Sequence, residues 1–405
     1  MTRLLPIFYG VTVSTRIRAR RWRSQAAAAS ACLFLAACTT AGAGGPAGVA
    51  ATPESEASIR VTAEGSRDWS PNRPIVVTAK LGTLTSVDIR DQRGRKLPGR
   101  FSDHKTRWSS NAAPLPFDTR YTVEARAVDA EGLATRTRTT LRTVKPKSVT
   151  YTGISPSGGS TVGVGMPIIV TFDQPVARKK VAEQRLKVTT TPQQVGGWYW
   201  VNDQMVRWRP KTYWRPGTDV SVRTQLAGVE LGKGVWGDDN DLARFSVGDA
   251  RISTVDIGAH TMTVTLNGDV IRTVPITTGK SGWDTRIGTK VIMSKQREVV
   301  MDAATIDVDE NDPEYYRLDV EYAMRLTWSG EYLHAAPWSV GSQGEANVSH
   351  GCTGMSTENA SWFYNMSTPG DVVKYVNGTR TMEPWNGYTD WNMSWEEWKQ
   401  GSALS

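Results

Sequence analysis

A six-residue phrase occurs twice in the chain: Arg73-Pro74-Ile75-Val76-Val77-Thr78, and 93 residues later Met166-Pro167-Ile168-Ile169-Val170-Thr171. A run of β-branched residues led by proline reads as a strand, because proline can open a strand but is barred from a helix interior. From Ser58 to Lys147 such short alternating runs are broken by turn residues, the pattern of half-buried sheet. A separation near the length of one immunoglobulin-like β-sandwich, about 100 residues, predicts two of them in tandem, residues 58–147 and 148–250. The chain has three cysteines, Cys32, Cys38 and Cys352. Neither sandwich therefore holds the paired cysteines of an antibody domain.

The amino terminus has a different chemistry. Its first 23 residues carry six arginines and no acid, and the apolar run Ala26–Ala37 follows. That run is too short to span a bilayer. A charged segment, a short apolar run and small residues make a secretory signal, residues 1–37. Leu35-Ala36-Ala37-Cys38 resembles the bacterial lipobox, in which the cysteine is diacylated and becomes the first residue. Residues 38–57, rich in Ala, Gly and Thr, would then tether an exported lipoprotein to the outer face of the cell membrane, facing the cell wall. Loss of the six arginines takes the formal charge from +8 to about +2. The basic balance thus belongs to the export segment and argues for no nucleic-acid partner. It also leaves Cys352 as a lone thiol without a disulfide partner, in a compartment where thiols oxidise.

The stretch from His334 to Met355 holds two of the chain's four histidines beside that thiol. Acyl chemistry at sulfur needs a thiolate or an adjacent base. Imidazole is the side chain best suited to take the proton near neutral pH. Gly351, next to the thiol, allows close approach of a substrate and offers an N–H to an oxyanion. A cysteine near a histidine is also an ordinary buried pair, and residue types alone leave both readings open.

The arrangement of His334 with Ser349-His350-Gly351-Cys352 resembles the signature of the L,D-transpeptidases, the YkuD-type enzymes that cross-link bacterial peptidoglycan. The flanks His334-Ala335-Ala336-Pro337-Trp338-Ser339-Val340-Gly341 and Asn347-Val348 are similar to those of mycobacterial and related actinobacterial members. The resemblance implies a mainly β chain: two tandem immunoglobulin-like sandwiches, a β-rich catalytic domain over 251–378 with one or two short helices, and a Trp-rich extension over 379–405.

The resemblance also implies roles. Cys352 is the nucleophile and His334 the general acid and base, oriented by the backbone carbonyl of Ala335. His350, two positions from Cys352, would point to the same side of an extended segment and support it. The N–H groups of His350, Gly351 and Cys352 would form the oxyanion hole, and the Ser349 hydroxyl would hold the loop. Tyr316, Met301, Ser329, Gly330, Trp338 and Gly354 are expected at the substrate. Gly354 departs from the family pattern, which has Asn there, so a side-chain amide is missing. The acidic stretch Ile306–Tyr316 is expected as a lid, either solvated or drawing in a cationic amine.

The implied partners are two peptidoglycan stem peptides, a tetrapeptide donor and the side-chain amine of a diaminopimelate acceptor, with carbapenem-type β-lactams as inhibitors. Neither a metal nor an organic cofactor is called for, and the acidic loop Glu230–Asp241 is read as solvated. The same residues would serve an L,D-carboxypeptidase, with water as acceptor, or transfer to another amine. A non-catalytic alternative is a wall-binding module.

Overall fold

The computed structural model describes residues 54–111 and 114–405; the signal, Cys38 and most of the tether lie outside the described residues. The chain is mainly β. The first sandwich faces the sheet Ser58–Val61, Val76–Lys80, Arg107–Ser110, Gly99–Phe101 against the sheet Thr83–Asp91, Arg120–Val128, Ala134–Arg142. Ile75, Val77, Leu84, Ile89, Val123 and Leu141 fill the space between them.

The repeated phrase occupies equivalent strands. Val76–Lys80 lies between Ser58–Val61 and Arg107–Ser110, and Ile168–Phe172 lies between Thr152–Ser155 and Met205–Pro210 in the second sandwich. Trp198, Trp200, Trp208 and Trp214 are all buried in the second core, which accounts for the tryptophans without a ligand.

The portion from Arg251 onward is built on two sheets. A six-stranded sheet runs in the order Asp269–Pro275, Thr261–Leu266, Arg251–Asp256, Val372–Val376, Arg286–Val291, Arg380–Thr381. Its first hairpin turns at Asn267-Gly268, both at positive φ (52° and 102°), as the tight hairpin turn requires. The second sheet runs Ser294–Asp302, Arg317–Arg325, Tyr332–Ala335, Thr353–Met355. Helix Thr357–Met366, capped by the Ser356 side chain, buries Ala360 and Phe363 in the shared core.

The carboxyl-terminal segment fastens this portion to the second sandwich. Arg207 and Arg209 project from the strand Met205–Pro210; Arg207 pairs with Asp390 at 3.0 Å, both buried. The Arg209 guanidinium lies 4.8, 5.5 and 4.8 Å from the ring centres of Trp391, Trp395 and Trp398. A capping box of Ser394 and Glu397 starts the helix Trp395–Gln400 that carries the last two.

Candidate active site

The nucleophile candidate and the base candidate come from neighbouring parallel strands. Thr353–Met355 pairs with Tyr332–Ala335 in the register Leu333↔Thr353 and His334↔Gly354, so Cys352 enters its strand level with Tyr332. Both Cys352 and His334 line one cleft of about 690 Å³, walled by Met301, Tyr316, Leu318, Trp338, Val348 and Gly354.

His334 is buried, 6% exposed, and its Nδ1 lies 2.8 Å from the Ala335 carbonyl. A carbonyl can only accept, so Nδ1 carries the proton and Nε2 keeps the basic lone pair. Burial pushes the imidazole below its ordinary 6.5, against the Ala335 hydrogen bond. Burial pushes the Cys352 thiol up to about 12; the Tyr332 backbone N–H opposes this, the Glu331 charge adds to it and Lys290 counters. The thiol donates to the Gly330 carbonyl at 3.5 Å. Both shifts favour the neutral forms, a thiol and an imidazole lining the same cleft.

The loop before the thiol is knitted from within. The Ser349 hydroxyl donates to the Cys352 carbonyl at 2.6 Å and accepts from the Gly351 N–H at 3.1 Å. Gly351 sits at φ +117°, in the left-handed region, so the segment is bent and not extended as its alternation suggested. His350 nonetheless lines the same cleft, fixed by other means. Its ring packs between Trp283 (centroids 4.8 Å) and Tyr316 (4.9 Å), and Nε2 lies 2.6 Å from Glu314 Oε2. The same carboxylate oxygen accepts from Lys280 Nζ at 2.6 Å. Since Gly351 N–H is engaged by Ser349 at rest, it is not a free oxyanion donor in this state.

Below the loop lies a buried ionic cluster. Glu331, next to Gly330, accepts from Arg286 Nη1 at 2.9 Å and from Lys290 Nζ. Lys290 is wholly buried, 3.7 Å from the centre of the Tyr375 ring, and the Tyr375 hydroxyl meets Thr353 Oγ1 at 2.7 Å. Burial pushes the Lys290 ammonium down while Glu331 holds it up.

Among the expected substrate contacts, Met301, Tyr316, Trp338 and Gly354 line the cleft. Ser329 does not: its N–H and hydroxyl are occupied by the Asn386 side chain at 3.0 and 2.9 Å. The tight turn from Thr327 to Gly330 points Ser329 outward and presents only the Gly330 carbonyl to the thiol. Gly354 exchanges backbone hydrogen bonds with Thr277 at 3.0 and 2.9 Å. A Cβ there would lie 2.9 Å from Ala336 Cβ and 3.0 Å from Thr277 Cγ2.

A family model described as the L,D-transpeptidase catalytic domain matches residues 250–374, and one for a bacterial Ig domain matches residues 66–230. The chain is 39% identical over 341 residues to L,D-transpeptidase 2 of Mycobacterium tuberculosis (strain CDC 1551 / Oshkosh), covering 84% of this chain and 83% of that one. The chain belongs to the L,D-transpeptidase family. It is also 44% identical over 223 residues to L,D-transpeptidase 1 of Mycobacterium tuberculosis (strain ATCC 25618 / H37Rv), covering 55% and 83% of the two chains. A solved LD transpeptidase, LdtMt1, in complex with imipenem is 43% identical at a TM-score of 0.50, covering 57% of this chain and all of that one.

As an L,D-transpeptidase the chain is an acyltransferase. Glu314, Lys280, Trp283 and the pair Glu331–Lys290 are the site residues that motif reading passed over. All but Glu331, which is three residues from His334, lie far in sequence from both motif segments, and the acidic character of the stretch around Glu314 hinted at one of them.

Proposed function

We propose that the chain uses Cys352 to make 3→3 cross-links between peptidoglycan stem peptides. The parallel pairing that brings Cys352 and His334 from neighbouring strands to line one cleft, with Nδ1 of His334 pinned by Ala335, is the observation that carries this reading. As sulfur attacks the carbonyl between diaminopimelate and D-Ala of a tetrapeptide donor, His334 Nε2 takes the thiol proton. Because thiol and imidazole are both neutral at rest, this transfer accompanies attack and no thiolate is stored. The N–H groups of His350 and Cys352 receive the developing oxyanion, and Gly351 N–H joins them if it leaves Ser349.

His334 then returns the proton to the departing D-Ala amine, leaving a thioester on Cys352. The side-chain amine of a second diaminopimelate attacks the thioester, His334 removes its proton, and the sulfur leaves as the thiol. Every step is acyl transfer and draws only on these side chains. Carbapenems would acylate the same sulfur, their strained lactam carbonyl standing in for the donor's; the imipenem complex of the similar LD transpeptidase supports this.

We further propose that Cys38 is lipidated, which would hold the enzyme on the outer face of the membrane within reach of the wall. The test is incubation with a disaccharide-tetrapeptide and analysis of products. A cross-linked dimer with released D-Ala supports transpeptidation. Tripeptide alone would make the enzyme an L,D-carboxypeptidase.

A further inference from the structure

The charge of the chain is segregated. Residues 58–147 hold eighteen Lys/Arg against nine Asp/Glu, a net of +9, whereas residues 148–405 hold 24 against 29, a net of −5. Much of the excess gathers on the outward face of the first sandwich's three-stranded sheet. In its register Arg120 stands directly opposite Arg142, and Arg126 directly opposite Arg136. Like charges directly opposite one another destabilise a hairpin, and packing does not call for them on a solvated face.

The acids nearby are already taken. Glu124 meets Arg138 at 3.3 Å and Asp118 meets Arg142 at 2.7 Å, which leaves Arg120, Arg126 and Arg136 without an ion pair among the described residues. At the Arg120 end the row runs into a cleft of about 1430 Å³ lined by Arg67, Arg120, Arg142 and Lys145, with Asp118 its single acid.

The shape of this feature selects its partner. Arg120 and Arg126 lie six residues apart on one strand, roughly 20 Å, so the cations form a row that ends in a cleft and not a plane. The first sandwich's exposed large apolar residues, Leu81 and Phe101, lie off this face, Leu81 in a turn and Phe101 on the other sheet. A row of exposed cations without an apolar wedge suits an extended polyanion better than a lipid surface.

We propose that this face docks a linear polyanion of the cell wall, a polymer bearing a phosphodiester or carboxylate at each repeat. The polymer lies along Arg126–Arg136 and Arg120–Arg142 and enters the cleft at Arg67 and Lys145. The acidic remainder of the chain is repelled by the same polymer, which keeps the catalytic cleft clear of it. The proposal takes its setting, the wall, from the function proposed above.

The full chain is titrated with fluorescently labelled polyphosphate and with labelled poly-L-glutamate at low and high salt. Binding of at least one is expected, weakening steeply as salt rises. Arg126→Glu with Arg136→Glu is expected to weaken it by about tenfold or more. The same reversal at Lys187 and Arg223, a like-charge cross-strand pair on the second sandwich, is expected to leave binding within about twofold.

Arg126→Thr with Arg136→Thr should lower affinity while raising Tm, since the repulsion is relieved; a packing role would lower Tm. Carbapenem acylation of Cys352 should be unchanged in all of these variants. Failure of the wild type to be acylated would sink the proposed function and leave the docking result to stand or fall by itself. The inference is overturned if neither polymer binds, or if the second-sandwich reversal weakens binding equally. It is also overturned if the chain binds phosphatidylglycerol vesicles but no polymer, or if the arginine face mediates only salt-sensitive self-association.

Discussion

Glu314 and His350 share a hydrogen bond of 2.6 Å. Glu314 lies in the loop between the strands Ser294–Asp302 and Arg317–Arg325, and His350 is two residues before the nucleophile. Lys280 and His350 together hold the Glu314 carboxyl below its ordinary range, so it is charged throughout the working pH. The loop that carries Glu314 is thus tied to the loop before the thiol through one carboxylate.

Glu314→Ala should therefore loosen both its own loop and His350 and slow carbapenem acylation by about three- to tenfold, with little change in Tm. Glu314→Gln keeps an acceptor without the charge and should fall between. Stopped-flow acylation of the two variants, with the His350 ring resonances as a readout of its position, checks this.

The pH dependence follows from the neutral resting pair. His334 is held below 6.5, so it stays a competent base as pH falls through that value, and the acid limb of the acylation profile should lie below pH 6.5. The thiol is held at about 12, so alkylation by iodoacetamide should not climb as pH rises through 9.0, as it does for an ordinary thiol. For stability the sign is the same as for the acid limb. A buried imidazole with lowered pKa contributes stability present above 6.5 and lost as pH falls through its folded value, and His334→Gln should flatten that loss.

Restoring the family's asparagine should not improve the enzyme by itself. A Cβ at position 354 would press on Ala336 and Thr277, so Gly354→Asn is expected to cost about 1–3 kcal/mol. Thr277→Ser removes the obstructing methyl and keeps the hydroxyl that bonds the Ala346 carbonyl and the Val348 N–H. The double variant should recover part of the loss in urea unfolding, a coupling that independent sites would lack.

The buried cluster under the thiol makes an asymmetric prediction. Glu331→Leu strands Lys290, which is wholly buried, and should cost about 3–5 kcal/mol. Lys290→Met leaves Glu331 with Arg286 at 2.9 Å and should cost less. Equal losses in denaturant unfolding would mean that Arg286 gives Glu331 no support.

What the sequence disclosed was local or repeated. The hairpin at Asn267-Gly268, the Ser356 cap and the Ser394/Glu397 box are each fixed by residues within four positions of one another. The doubled proline-led phrase announced tandem sheets because both copies are central strands. Pairings across the cleft carry no such mark: Glu314 is 36 residues from His350, and Lys290 is 41 from Glu331. Two-residue spacing also misled at Gly351, where a left-handed glycine bends a segment that reads as extended. The resemblance placed Ser329 at the substrate, and the turn sends it to Asn386 instead.

The most direct test of the account is the intact mass of the wild type and of Cys352→Ala after incubation with a disaccharide-tetrapeptide. A thioester adduct, heavier than the enzyme by the substrate less D-Ala, is expected on the wild type alone. An adduct that persists on Cys352→Ala, or cross-linked product made by that variant, would contradict it.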